Sequence, residues 1–163
     1  KSKLYDMETY LESLQTALSV IEESSDEMRK NFDPKLNARV SEIFSCLTGG
    51  KYSQLHVDKN YGILVSDDMI ERTCDDFSSG TIDQAYLSLR IAISELISGE
   101  TKMPLILDDV FMQYDNARLH NVLDFLKNYT SKKPEDNQII IFTCHKHIAD
   151  FALKKDSIVI YAG

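Results

Sequence analysis

The chain has 163 residues, 43% hydrophobic and 27% charged, which suits one core of ordinary size under a soluble surface. A formal net charge of −8 argues against a general phosphate-backbone binder, and adjacent lysines occur only at Lys132-Lys133 and Lys154-Lys155. No apolar run is long enough to span a bilayer and no secretory leader opens the sequence, so a cytoplasmic setting without a membrane is expected.

Three widely spaced cysteines, Cys46, Cys74 and Cys144, fit neither a disulfide framework nor a zinc spacing, which points to a reducing compartment. The first residue is Lys1 instead of Met, and a piece of a longer chain is expected.

In chain order, Leu4, Met7, Leu11, Leu14, Leu18 and Ile21 alternate spacings of three and four, with Met28 one heptad further. This narrow apolar seam predicts a helix that needs a partner: a coiled-coil arm, or else an amphipathic helix lying on the domain. Asp33-Pro34 predicts a helix restart, Asp as cap and Pro at the first helical position. Leu36, Val40, Ile43, Phe44 and Leu47 continue a helical face, which Gly49-Gly50 ends. The expected division is an arm stub over 1–48 and a second domain over 49–163. Gly49-Gly50-Lys51 is no phosphate loop, because Ser45 and Tyr52 stand where that pattern needs Gly and Ser/Thr. No such loop occurs anywhere in the chain.

Residues 52–57 and 62–65 predict two strands around a turn at 58–61, and a third short strand falls at 69–71. His56, His120 and His147 read as surface positions, and 73–79 as loop. Thr81 and Gln84 have capping-box spacing, so a long, largely buried helix should begin near them. The Ser78-Ser79-Gly80 turn before it offers free N–H groups, hydroxyls and the positive end of the helix dipole to an anion; an ordinary capped helix is the alternative.

Residues 105–107 read as a short buried strand with Asp108-Asp109 at its carboxyl end, the side on which a parallel sheet opens to ligands. Paired acids there suit a metal ion and an oriented water, although a turn or cap also explains them. Asp115 predicts the cap of a helix carrying Leu119, Val122, Leu123, Phe125 and Leu126, and 132–137 a solvated loop. A second buried strand at 139–142 brings Thr143-Cys144-His145 to the same crevice, with a polar helix cap as the simpler reading of His145. A short helix at 148–153 and a last strand at 157–161 complete the chain.

Ser-Ser-Gly at a helix start, apolar-Asp-Asp at one strand end and apolar-Thr-Cys-His at another, in this order, resemble the C-terminal half of an ABC-class ATPase head. The resemblance is to the coiled-coil ATPases of chromosome maintenance and double-strand-break repair, particularly the YhaN-like branch, and spans 49–163 with the heptads as a returning arm. It implies an α/β fold: half of a P-loop head, mostly parallel sheet flanked by helices, with an N-terminal coiled-coil stub. By resemblance, Phe77-Ser78-Ser79-Gly80-Thr81 is the signature motif that caps ATP on an opposite head. Asp108 is the Walker B acid for Mg²⁺, Asp109 the base, Asp115 the D-loop acid and His145 the switch histidine. Gln84 and Arg90 also fit the branch, without an assigned chemical role.

The resemblance further implies three partners: an N-terminal lobe carrying Walker A, a second head in an ATP-sandwich dimer, and DNA. ATP and Mg²⁺ would need that missing lobe, so the fragment alone is expected to be inactive. Ser79 departs from the common signature Gly and Thr81 from its Gln. Asp109 is one methylene shorter than the usual Glu, which predicts slow hydrolysis. The main rival is a non-catalytic lobe kept for dimerisation. A transporter subunit is disfavoured by the heptads, and an unrelated metal-dependent hydrolase by the lack of a richer ligand cluster.

Overall fold

The computed structural model describes residues 2–58, 62–67, 70–73, 76–99, 103–131, 138–155 and 157–161. Residues 59–61 of the turn expected at 58–61, Met69, Cys74 and the loop at 132–137 lie outside the described residues, as does the side chain of Leu4. Among the described residues no helix is long and apolar enough to cross a membrane. The elements run α1 (Ser2–Leu47), β1 (Gln54–Val57), β2 (Ile63–Asp67), β3 (Ile70–Thr73), α2 (Ser79–Ser98), β4 (Leu105–Asp108), α3 (Asn116–Ser131), β5 (Ile139–Phe142) and α4 (Lys146–Leu153). They fall into two compact units, Lys1–Lys35 and Leu36–Gly163.

In the first unit the seam stays in solvent. Met7, Leu11, Leu14, Leu18 and Ile21 are each at least half exposed. The expected restart at Asp33-Pro34 does not occur, since α1 continues through Pro34. Pro34 forfeits one backbone hydrogen bond, but the carbonyl it strands belongs to exposed Lys30, where water can take the donor's place.

Compact packing begins at Leu36, before the helix ends. Leu36, Val40, Ile43, Phe44 and Leu47 are buried and start the core of the second unit. Asn37 and Ser41, one turn apart, cover the outer edge of β1. The Val57 N–H donates to Asn37 Oδ1 (2.8 Å), and Ser41 Oγ donates to the Leu55 carbonyl (2.8 Å) while accepting from the Leu55 N–H (3.1 Å). An edge that would otherwise template another strand is thereby closed. The helix terminates as the glycine pair requires. Gly50 N–H bonds the Ser45 carbonyl and Gly49 N–H the Cys46 carbonyl, with both glycines at positive φ (81° and 65°).

The next orphan carbonyl, that of Leu47, accepts from the buried Gln84 Nε2 at 2.7 Å. Gln84 therefore closes the end of α1 and takes no part in a capping box. The N-cap of α2 is Ser78, and Thr81 packs inward against it. Gln84→Leu strands a buried carbonyl and is expected to cost about 1–3 kcal/mol in urea unfolding. An unchanged midpoint would show that the bond contributes nothing.

β1–β2–β3 form an antiparallel meander, and the parallel part of the architecture is the β4–β5 pair, in register Leu105↔Ile139 to Asp108↔Phe142. His56 points outward from β1, as its alternation requires. The two strands expected to be buried are half-covered. Leu107 is buried, but Ile106 and Phe142 are each 56% exposed, because a two-stranded sheet packed on one face leaves the other bare. Residues 157–161 form no strand, and Ile158 and Ile160 stand in solvent. Apolar alternation makes a strand only where a neighbouring edge supplies hydrogen bonds, and no described strand pairs with this segment.

Two ion pairs tie the helices together. Arg39 of α1 grips Glu95 of α2 through Nε (2.5 Å) and Nη2 (2.8 Å), which raises the guanidinium pKa further. Burial, with Glu95 beside it, pushes Tyr129 of α3 up to about 12. Lys155 reaches back from the end of α4 to Asp124 of α3, which also pairs with exposed His120.

Candidate functional site

The residues singled out in the sequence gather into two groups. They are joined by the turn between β4 and α3.

The first group stands at the carboxyl end of the parallel pair. Asp108 is exposed at the last position of β4. The Asp109 N–H extends the ladder by one bond to the Phe142 carbonyl (2.9 Å), and the backbone then turns with Asp109 at φ 49°. Asp and Asn are among the few side chains that tolerate this left-handed setting. Asp109 meets the loop after β5: Thr143 Oγ1 donates to Oδ1 at 2.9 Å, and Cys144 Sγ lies 3.6 Å from Oδ2. The Thr143 hydroxyl also accepts the His145 N–H (3.1 Å), so one short side chain orients both the acid and the histidine. His145 then caps α4 through its backbone carbonyl, and its Nε2 is buried without a partner. The Thr143 hydrogen bond, helped by Cys144 and His145, holds the Asp109 carboxyl below its ordinary range. Asp109 and His145 are thus brought together, as their strand-end positions require.

The second group surrounds the start of α2. Ser78 Oγ lies 3.0 Å from Thr81 Oγ1, and Ser79, the first helical residue, is exposed. Gly80 is buried, and a Cβ there would sit 2.9 Å from the Gln113 carbonyl oxygen and 3.4 Å from Arg118 Cδ. Only glycine lets the turn after β4 approach this closely. Asp115 caps α3 through its bond from the Arg118 N–H (2.8 Å), and it accepts Nη1 of the same arginine at 2.7 Å. The other amino group of Arg118 reaches Ser78 Oγ at 3.2 Å. These bonds from Arg118 keep the Asp115 carboxyl below its usual range. Ser78 and Asp115 are therefore linked by Arg118, a residue with no distinguishing signal in the sequence. An open cleft lies beside this group, lined by Lys51, Tyr52, Thr81, Asp115 and Arg118 among others.

Sequence reasoning missed two organising residues. Arg118 was one charge among many on a helix start, and no spacing rule ties it to a serine forty positions earlier. Thr143 had a readable signal, a hydroxyl at the end of an apolar strand, but its partner was visible only in the fold. Chemically, the first group offers a carboxylate and an imidazole at one strand-end crevice. The second offers hydroxyls and a guanidinium at the positive end of a twenty-residue helix.

No protein-family model matches the chain. The YhaN protein of Bacillus subtilis (strain 168) is 31% identical over 141 residues, covering 85% of this chain. The chain spans 14% of that relative's length. A solved structure concerned with ATP-driven dimerization and DNA-stimulated activation of SMC ATPases superposes with TM-score 0.61 at 19% identity, covering 80% of this chain and 76% of that one. The Smc head domain of Pyrococcus furiosus, with an extended coiled coil and bound to the C-terminal domain of ScpA, gives TM-score 0.60 at 20% identity over 95% of this chain and 38% of that one. With its long coiled-coil-like helix, parallel strand pair and flanking helices, the chain has the fold of the C-terminal lobe of an SMC-like ATPase head.

Proposed function

We propose that this chain supplies the C-terminal lobe, 49–163, to the head of an ATP-hydrolysing coiled-coil ATPase of chromosome maintenance, with 1–48 as the stub of its arm. Asp108 holds Mg²⁺ on ATP bound to a P-loop in an N-terminal lobe of the same head, and Asp109 polarises the attacking water. His145 meets the γ-phosphate. Ser78, Ser79 and Gly80, with Asp115 beside them, complete the nucleotide site of a second head. Catalysis of this kind rests on positioning and on charge stabilisation. Arg118 joins the assignment as the residue that holds the signature serine and the D-loop acid together. Head closure then alters the grip of the arms on DNA, in the cytoplasm.

The observation that carries this reading is the meeting of Asp109 and His145 through Thr143, across two strands far apart in sequence. The bare faces of Ile106 and Phe142 and the unpaired run at Ile158 and Ile160 also suit a half-structure that another lobe completes. The solved SMC ATPases dimerise under ATP and respond to DNA, and the same pair of behaviours is proposed for the completed form of this protein.

The test joins this chain to a P-loop lobe and follows ATP turnover. The chain alone should not hydrolyse ATP, and the reconstituted head should do so slowly. Asp108→Ala should abolish turnover by losing Mg²⁺–nucleotide. Activity of the lone chain that disappears in Asp108→Ala would contradict the reading, as would an unaffected Asp108→Ala head.

A further inference from the structure

We propose that Asp109, Cys144 and His145 form a binding site for a thiophilic divalent cation of the zinc class. One ligand atom from each residue, an oxygen, a sulfur and a nitrogen, lies within 4.8 Å of the other two. Zinc bonds of about 2.3 Å to sulfur and about 2.0 Å to oxygen imply a tetrahedral S···O edge of about 3.5 Å. Cys144 Sγ and Asp109 Oδ2 are already 3.6 Å apart. The Thr143 hydroxyl engages Oδ1 and leaves Oδ2 turned toward the sulfur, the kind of outer contact that orients a ligating carboxylate. The same hydroxyl fixes the His145 backbone.

The buried Nε2 of His145 lacks a hydrogen bond, and a polar atom in that position needs a ligand of some kind. Asp109 lies in the turn directly after β4, and Cys144 and His145 in the three-residue link between β5 and α4, so short connections between regular elements bring the three together. A fourth position is left to water, and the His147 ring, 5.7 Å from that of His145, stands nearby.

The donor set selects the ion. Thiolate and imidazole favour zinc-class metals over Mg²⁺ and Ca²⁺, which take oxygen ligands. Binding exchanges the thiol proton for a sulfur–metal bond, releasing one proton, so affinity rises with pH. Cysteine spacing could not reveal the site, because only one of its ligands is cysteine. If Asp109 and His145 act on ATP as proposed above, an occupied site ties up both and silences hydrolysis. That consequence rests on the ATPase reading, whereas the binding does not.

The experiment titrates Co²⁺ into the full chain under reducing conditions, without nucleotide, and follows thiolate-to-cobalt charge-transfer absorption. One equivalent should generate the band and Zn²⁺ should displace it. Cys144→Ser should abolish the band, and Asp109→Asn should weaken binding at least tenfold. Cys46→Ser and Cys74→Ser should retain it, with far-UV circular dichroism showing that each variant is folded. A band that survives Cys144→Ser, one that depends on Cys46 or Cys74, or no stoichiometric cobalt binding overturns the proposal. None of these outcomes touches the nucleotide reading, which stands or falls on the Asp108→Ala assay.

Discussion

Asp109→Asn is expected to slow the chemical step of ATP hydrolysis about 100-fold in a head completed by its P-loop lobe, with nucleotide binding retained. The substitution keeps the volume and the acceptor for Thr143 but removes the negative charge that polarises water. Single-turnover kinetics separates this from a binding defect. Because hydrogen bonds from Thr143 and Cys144 hold the Asp109 carboxyl below its usual range, the group is ionised throughout neutral pH. The rate should therefore show no acid limb from Asp109 between about pH 5 and 8. The same depression makes the carboxylate a poor proton acceptor, which accords with the slow turnover proposed for the completed head. Asp109→Glu should also change the step, since the longer acid must find a new position against Thr143. If neither substitution alters the chemical step, Asp109 is not the group that activates water.

Phe44→Ala should have the largest effect on stability, about 3–5 kcal/mol. Phe44 is fully buried, its ring stacks on Tyr52 with centroids 5.7 Å apart, and Tyr52 in turn meets Phe77 edge-on at 5.4 Å. These three rings connect the end of α1, the approach to β1 and the segment before α2. Truncation leaves a cavity lined by groups whose own positions are fixed by helix ends, so the site cannot collapse around it. Urea unfolding reads the loss directly. A cost below about 1 kcal/mol would mean that this cluster is loosely packed.

Much of the second unit was legible because its signals are local. Short apolar runs gave β4 and β5, Asp115 announced α3, and Gly49-Gly50 marked a helix end through a conformation few other residues adopt. The strand-end positions of Asp109 and His145 followed from the behaviour of parallel strands and needed no side-chain detail. What escaped depended on solvent or on distant partners. Pro34 was read as a boundary, but an exposed helix turn can lose one bond to water and carry on. Thr81 and Gln84 matched a capping pattern, yet both turn inward, and Gln84 answers a carbonyl thirty-seven residues earlier. Residues 157–161 have the composition of a strand, but among the described residues no strand edge adjoins them. Ile106 and Phe142 remain uncovered for a different reason, since the β4–β5 pair is packed on one face and bare on the other.

The torsion angle at Asp109 acts as a filter on its own side chain. At φ 49° the Cβ of an L residue crowds the main chain at a cost of about 1–2 kcal/mol, which Gly avoids and which the short polar side chains of Asp and Asn can offset by local hydrogen bonding. The hand of the turn thus narrows the residues this position accepts. A longer carboxylate, without the short polar side chain that suits this region, would hold the same bend between β4 and the start of α3 at greater strain.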